Sequence, residues 1–424
     1  MIAYIKECPV LSIFILAVCI RVFLLFLFPL PDYAGGDFSL YHRITTSIIA
    51  NGNFGGEPQA TYGSPSINPG WSFFLAGLYF LFGDSQTILL IFSIVLGGLL
   101  AIGAYFLSMC FFNKEVSFLA GLMVSLWPVF LIQTFIYTDS LLLYTVLLLW
   151  GAFFFSRVVL HGYYLSAVAS GFLLGFAILT DSIAFFIPIA FLLWLFVERP
   201  SLVSLGYGGL FLGACLLILT PWIYRNIIVA EELGLEHAPA ISKDEMRLAS
   251  PAMLLTISTL VAKDGVLISG LSQAFVFPFN ISILDQGTDL YYKDIMIRTL
   301  RGEYPALSHR EIVIMGVKVA VTALHWLLLA LSVTAFFFIC GGKTKRFFLF
   351  ALLLVLYVVG ASIGFGSLWE NDFKGISALS SFLFPLIPLL IIFASFSIMY
   401  LVSSRAGRED LFLEKDVYLN EGDT

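Results

Sequence analysis

The sequence predicts an all-α polytopic membrane protein, a helical bundle of about ten transmembrane helices with extracytoplasmic loops. Two observations carry that fold class. Of 424 residues, 60% are apolar and only 12% charged, where soluble domains hold about 45–50% and about 25%; mean hydropathy is +0.97. Runs of roughly 20 apolar residues, the length a ~30 Å hydrocarbon layer demands of a helix, recur from residue 9 to residue 402. This composition excludes a soluble enzyme, a disordered chain and a secreted disulfide scaffold. A formal net charge of −6 excludes a nucleic-acid binder, which needs a basic face.

The first run, Pro9 to Pro31, exceeds the roughly 7–15 residues of a secretory h-region and lacks a small-residue cleavage site, so it is expected as an uncleaved first span. Further spans are expected over 86–112, 116–135, 139–159, 163–180, 182–198, 203–224, 313–340, 347–365 and 380–402. The run 71–83 is too short to cross and is expected to lie at the interface or re-enter. Spans five and six are separated only by Thr180-Asp181-Ser182. The five cysteines fall in or beside apolar runs and read as small hydrophobes.

Basic residues in short loops set orientation. Lys114, Arg157, Arg199, and Lys343 with Lys345 and Arg346 mark inner loops, while the turns at 135–138 and 180–182 carry no base. Both termini are then cytoplasmic. The expected organisation is a membrane module over 1–224 with an external loop at 30–70, an external subdomain over 225–312, a second membrane module over 313–402, and a polar tail over 403–424.

Ionisable groups gather at the outer ends of spans: Asp32, Asp37 and Arg43, then Asp139, Asp181, Arg225, and Glu370, Asp372 and Lys374. A charge inside hydrocarbon costs about 2.5–3.5 kcal/mol even on the gentler insertion scale, so an outer-face site built from several helix ends is the natural inference. Residues 38–51 fit a helix with Phe38, Tyr41, Ile44/Thr45 and Ile48 on one face and Gly52 at its end. Taken singly, each charge has a plain structural role open to it. Asp37 and Asp139 can cap helices, and Arg225 can snorkel to the interface.

Jointly, the arrangement resembles the GT-C superfamily of membrane glycosyltransferases, in the branch of protein O-mannosyltransferases and lipid A aminoarabinose transferases. The residues that carry the resemblance are Asp37, Tyr41 and Gly52-Asn53-Phe54, then Pro69-Gly70 before Leu81-Phe82-Gly83, then Asp139, Pro221-Trp222 with Arg225-Asn226, and Phe384-Pro385-Leu386-Ile387-Pro388. The resemblance implies transfer of a sugar from a polyprenyl-phosphate carrier to an acceptor on the extracytoplasmic side of a bacterial-type inner membrane. It implies Asp37 as catalytic base and Asp139 as a second acidic residue. The chain departs from many relatives in having Phe38 beside Asp37, Asp181 after the fifth span, and Ser381 before the last motif, positions where those relatives carry an acid, an Arg and an Arg. Phosphate contacts would then fall to Arg225, Arg43 or Lys374, with Tyr41 beside the base.

These residue types suit that chemistry. The leaving phosphate is already good, so a carboxylate within reach of the attacking hydroxyl suffices as general base, and a guanidinium stabilises phosphate charge bidentately. Asp37 and Asp139 could hold a divalent metal ion, since hard cations take carboxylate oxygens, but no spacing demands one. His42 and His325 are isolated in sequence and are expected to be structural. The expected partners are a polyprenyl-phosphate sugar donor, a glycan, lipid or protein acceptor, and membrane lipid, with no nucleic acid. The alternative is a transporter or flippase of a lipid-linked glycan, supported by Arg21 and Asp181. It would call for charged or broken helices near mid-bilayer and related halves, and neither is legible here.

Overall fold

A chain in hydrocarbon must satisfy its own N–H and C=O groups, which is why apolar runs of this length become helices. The protein was analysed as a computed structural model, which describes residues 8–27, 37–52, 68–135, 140–181, 184–185, 187–232, 320, 323–325, 327–335 and 386–406. Every regular element among them is helical: α1 Pro9–Leu27, α2 Asp37–Asn51, α3 Gly70–Phe82, α4 Gln86–Met109, α5 Lys114–Leu126, α6 Pro128–Phe135, α7 Leu141–His161, α8 Tyr164–Thr180, α9 Ile187–Glu198, α10 Leu202–Glu232 and α11 Ile387–Ala406. A further short apolar helix covers Ala323–Ala335.

Among the described residues, four helices are long and apolar enough to cross a membrane: Pro9–Phe26, Gln86–Met109, Leu141–His161 and Leu202–Arg225. Helices α5 and α6 together are long and apolar enough to cross as well, but they are bent, meeting at 49°. The run 116–135, expected as one helix, is therefore two. Pro128 has no N–H and disfavours helical backbone at the residue before it; Trp127 is extended (φ −66°, ψ 122°). The sixth expected span narrows to the 12 residues of α9. The seventh runs past its expected end at 224, through Pro221, to Glu232, so the external segment expected from 225 opens as helix. The expected span 347–365 lies outside the described residues, as does most of 225–312.

Helix α4 packs against α1, α5 and α7. Its Leu100, Ala101, Ala104 and Leu107 are fully buried, and Trp150 on α7 donates its indole N–H to the Leu99 carbonyl at 3.1 Å. Helix α1 turns one stripe inward, Ile13, Ala17 and Arg21, spaced at four residues as one helix face requires. Helix α8 lies between α7 and α10. Gly171 and Gly175 let α10 come in to backbone distance: a Cβ on Gly175 would sit 2.9 Å from the Cys215 carbonyl oxygen, and one on Gly171 would strike that of Phe211. Small residues four apart are the usual means of close helix approach in membranes.

Helix α3, the run judged too short to span, is about 20 Å long. It packs on α2 and α8 through a buried face that includes Trp71, Leu75, Leu78 and Tyr79, while Phe80, Leu81 and Phe82 are exposed.

Candidate functional site

The expected site is anchored on α2, which starts at Asp37 and stops where Gly52 takes φ +66° and donates its N–H to the Ile48 carbonyl at 3.0 Å. The helix read from the sequence over 38–51 is thus the observed one. Asp37 is its first residue.

Polar contacts fasten α2 to its surroundings. Buried Thr45 donates to the Tyr41 carbonyl of its own helix at 2.7 Å and reaches the Ser72 carbonyl of α3 at 3.5 Å. His42, expected to stand alone, does not. Its Nδ1 lies 3.2 Å from the Tyr79 hydroxyl and its Nε2 lies 3.5 Å from the Asp84 carboxylate. A proton on Nε2 serves both partners, the ring donating toward Asp84 and accepting from Tyr79. The Tyr79 ring also meets the imidazole edge-on, centroids 5.7 Å apart. Asp84 is presented by the turn at Gly83, whose φ of +83° favours glycine.

Tyr41 is half-buried against the core. Arg43 is exposed, with its carbonyl accepting from Thr46 at 2.9 Å. Arg225 sits in the extended part of α10 with its guanidinium 4.9 Å above the Trp222 ring. Trp222 in turn meets Phe73 edge-on, centroids 6.3 Å apart. The first turn of α3 also abuts the end of α8, since a Cβ on Gly70 would lie 2.5 Å from the Thr180 nitrogen. Buried Trp71 Nε1 and Ser72 Oγ, on that same turn, have no hydrogen-bond partner among the described residues.

The expected residues thus attach to α3 at two places. Arg225, through Trp222, meets its first turn at Phe73, and His42 of α2 meets Tyr79 on its last turn and Asp84 just beyond its end. Six residues of helix separate Phe73 from Tyr79, about 9 Å along the axis. Asp139 and Lys374 lie outside the described residues; Ser140, next to Asp139, occupies the cap position of α7 without a side-chain cap bond. Asp181, which follows the last residue of α8, donates its N–H to the Ala177 carbonyl at 2.8 Å. Among the described residues, no three His, Cys, Asp or Glu side chains converge as metal ligands. Sequence reasoning passed over Tyr79 and Asp84, because the α2–α3 pairing that brings them to His42 leaves no periodic signal.

The family model described as dolichyl-phosphate-mannose-protein mannosyltransferase matches residues 65–224. No curated protein matches the chain. Among solved structures, the fold is shared with the archaeal oligosaccharyltransferase AglB from Archaeoglobus fulgidus in complex with an inhibitory peptide and a dolichol-phosphate. The identity is 14% and the TM-score 0.55, over 95% of this chain and 51% of that one. The apo form of the oligosaccharyltransferase from the same organism gives 14% and 0.56, over 96% and 53%. Its complex with Zn and sulfate gives 13% and 0.52, over 93% and 50%. The chain spans about half the length of these structures, and at such identities the likeness is one of fold.

Proposed function

We propose that this chain, a glycosyltransferase of the GT-C superfamily, moves a sugar from a polyprenyl-phosphate-linked donor to a hydroxyl acceptor at the extracytoplasmic membrane face. The observation that carries the reading is the match to the mannosyltransferase family model over 65–224. That stretch holds Asp139, Arg225 lies immediately after it, and it includes α3, the helix onto which the Asp37-bearing α2 is fastened.

In the proposed reaction the acceptor hydroxyl attacks the anomeric carbon while Asp37 takes its proton. A new C–O bond forms, the anomeric C–O bond to phosphate breaks, and polyprenyl phosphate leaves with the bonding pair. One such displacement inverts the anomeric centre. Retention would need a second carboxylate about 5–5.5 Å from the first, as in hydrolases. Charge developing on the leaving phosphate is the natural partner of the Arg225 guanidinium, which Trp222 holds against α3 by stacking. Tyr41 and Arg43 follow the base about one and two turns along α2, and Lys374 and Asp139 complete the proposed set. Sugar, acceptor and any metal ion are open within this reading.

The rival, a flippase, drew support from Arg21 in the first span. Arg21 is fully buried and hydrogen-bonded between helices, which is not the setting of a charge that lines a pathway.

The test is transfer from a labelled polyprenyl-phosphate sugar by wild type and Asp37→Asn protein in lipid nanodiscs. General-base loss is expected to lower kcat by about 10²–10⁴-fold with the thermal midpoint unchanged. Wild-type transfer by Asp37→Asn removes Asp37 as base, and translocation of the lipid-linked sugar without transfer by either protein favours the flippase.

A further inference from the structure

An arginine inside a span is costly, about 2.5–3.5 kcal/mol at mid-helix even on the gentler insertion scale, so its surroundings say why it is kept. Arg21 lies on the inward stripe of α1 and is 0% exposed. Among the described residues no carboxylate pairs with it. Its guanidinium reaches the break between α5 and α6, where Pro128 interrupts the helical ladder. Nε donates to the Thr134 hydroxyl on the last turn of α6 at 3.0 Å, and Nη1 donates to the Ser125 carbonyl at the end of α5 at 3.4 Å and to the Ala17 carbonyl of its own helix at 2.9 Å.

Two of the three partners lie at the break or on the last turn of α6. Pro128 brings no N–H, so the Val124 carbonyl falls back on Trp127 at 3.4 Å, and the Ser125 carbonyl is one of those a helix end leaves without an intrahelical donor. Thr134 donates its own proton to the Phe130 carbonyl at 2.9 Å, which leaves its oxygen lone pair for Arg21. Helix α4 is notched to admit the guanidinium, because any Cβ at Gly97 would collide with Arg21 Nε. The remaining nitrogen, Nη2, is buried without a partner among the described residues. That is a sizeable penalty, and it argues that the other bonds hold the group in place.

We propose that Arg21 is a positioning residue. From the first span it holds α5 and α6 at their angle, and so fixes the end of α6, which precedes Asp139 by four residues in the sequence. The inference rests on the glycosyltransferase reading above, in which Asp139 is an acidic site residue. Leverage is what makes it matter. Helix α6 has eight residues, about 12 Å, so a change of about 10° at the break moves its far end by about 2 Å. Misplacement of about 1 Å can cost about 10²-fold in rate.

The experiment compares Thr134→Val, Thr134→Ser, Arg21→Lys and Arg21→Met in the full chain in lipid nanodiscs. It reads kcat and KM with the labelled donor, the thermal midpoint, and amide hydrogen exchange over residues 122–135. Thr134→Val is expected to lower kcat by about 10²-fold with KM nearly unchanged, and to speed exchange around the break by about tenfold, the equivalent of one lost buried hydrogen bond. Thr134→Ser keeps the acceptor and should restore both readouts, whereas Arg21→Lys, with a single nitrogen for three acceptors, should fall between. If Arg21→Met fails to fold, Thr134→Val still carries the test. Wild-type kcat and exchange in Thr134→Val overturns the proposal, as does a loss of rate that Thr134→Ser shares. Failure of the catalytic reading looks different: Asp37→Asn then transfers normally, or no variant transfers, while exchange at the break still reports on Arg21.

Discussion

Helices α8 and α10 are joined in one way and helices α2 and α3 in another. Along α8, Gly171 and Gly175 bring the backbone of α10 to contact distance, with Phe211 and Cys215 presenting carbonyls where a side chain would otherwise stand. Between α2 and α3 the joint is polar. Thr45 reaches the Ser72 carbonyl, and His42 spans Tyr79 and Asp84. In lipid the hydrophobic effect does not drive helices together, so close van der Waals packing is what holds the first pair. Such a seam has no slack and no chemistry, which suits a scaffold. The second joint is made of hydrogen bonds and a close His42–Asp84 approach, and it carries the helix that begins at Asp37.

The largest effect should come from spoiling the seam. Gly171→Leu places a side chain against the Phe211 carbonyl, and the helices must part along their length. The expected loss is about 3 kcal/mol or more, at or above the upper end of overpacking costs. It would be read as a collapsed yield of monodisperse protein and a lowered thermal midpoint, with whatever folds retaining wild-type kcat. A folded Gly171→Leu protein with normal stability would mean that the seam is looser than its backbone distances indicate.

His42→Phe breaks the other joint and should act on rate rather than on folding. The ring is partly exposed and Phe keeps most of its contact with α3, so the thermal midpoint should move little. Losing the link to Tyr79 and Asp84 frees α2 to shift, and kcat should fall about tenfold, or about 1.4 kcal/mol of barrier. Tyr79→Phe tests the same link from the other side. Two variants that each lower kcat, and that together cost no more than either alone, would identify one shared contact. A fall in stability matching the fall in rate would make the joint a scaffold like the seam.

The contrast also marks what could be read from the chain alone. Apolar runs and stop signals located the helices well: Gly52 ends α2 as read, and α4, α7 and α8 follow their runs within two or three residues. The bend at Pro128 stood in the sequence but was hidden, because the apolar run does not pause there. The continuation of α10 past Arg225 was missed for the opposite reason. Charge ends a span, yet a helix outside hydrocarbon needs no apolar residues to persist. Contacts between distant segments were the least legible. Arg21 and Thr134 are 113 positions apart, and only the packing of α1 on α5 and α4 brings them together. His42 looked isolated because its partners belong to a helix that periodicity placed at the interface without saying what it would pack on.

The smallest prediction separates the two kinds of joint most cleanly. Thr45 is buried, and its hydroxyl is shared between the Tyr41 and Ser72 carbonyls. Valine has nearly the same shape, so Thr45→Val removes the hydroxyl and little else. If α2 and α3 were held as α8 and α10 are, by fit alone, the change would be neutral or slightly stabilising, since burying a methyl in place of a hydroxyl relieves a desolvation cost. If polar contacts hold the joint, the change should cost about 0.5–1.5 kcal/mol, the usual net worth of one hydrogen bond. The 3.5 Å reach to Ser72 argues for the lower end of that range, because the bond to Tyr41 lies within α2 and adds nothing between helices. Hydrogen exchange of the α2 amides at constant pH reads the difference directly: faster exchange in Thr45→Val than in wild type supports the polar joint, and equal or slower exchange assigns the pair to the same close-packed class as the glycine seam.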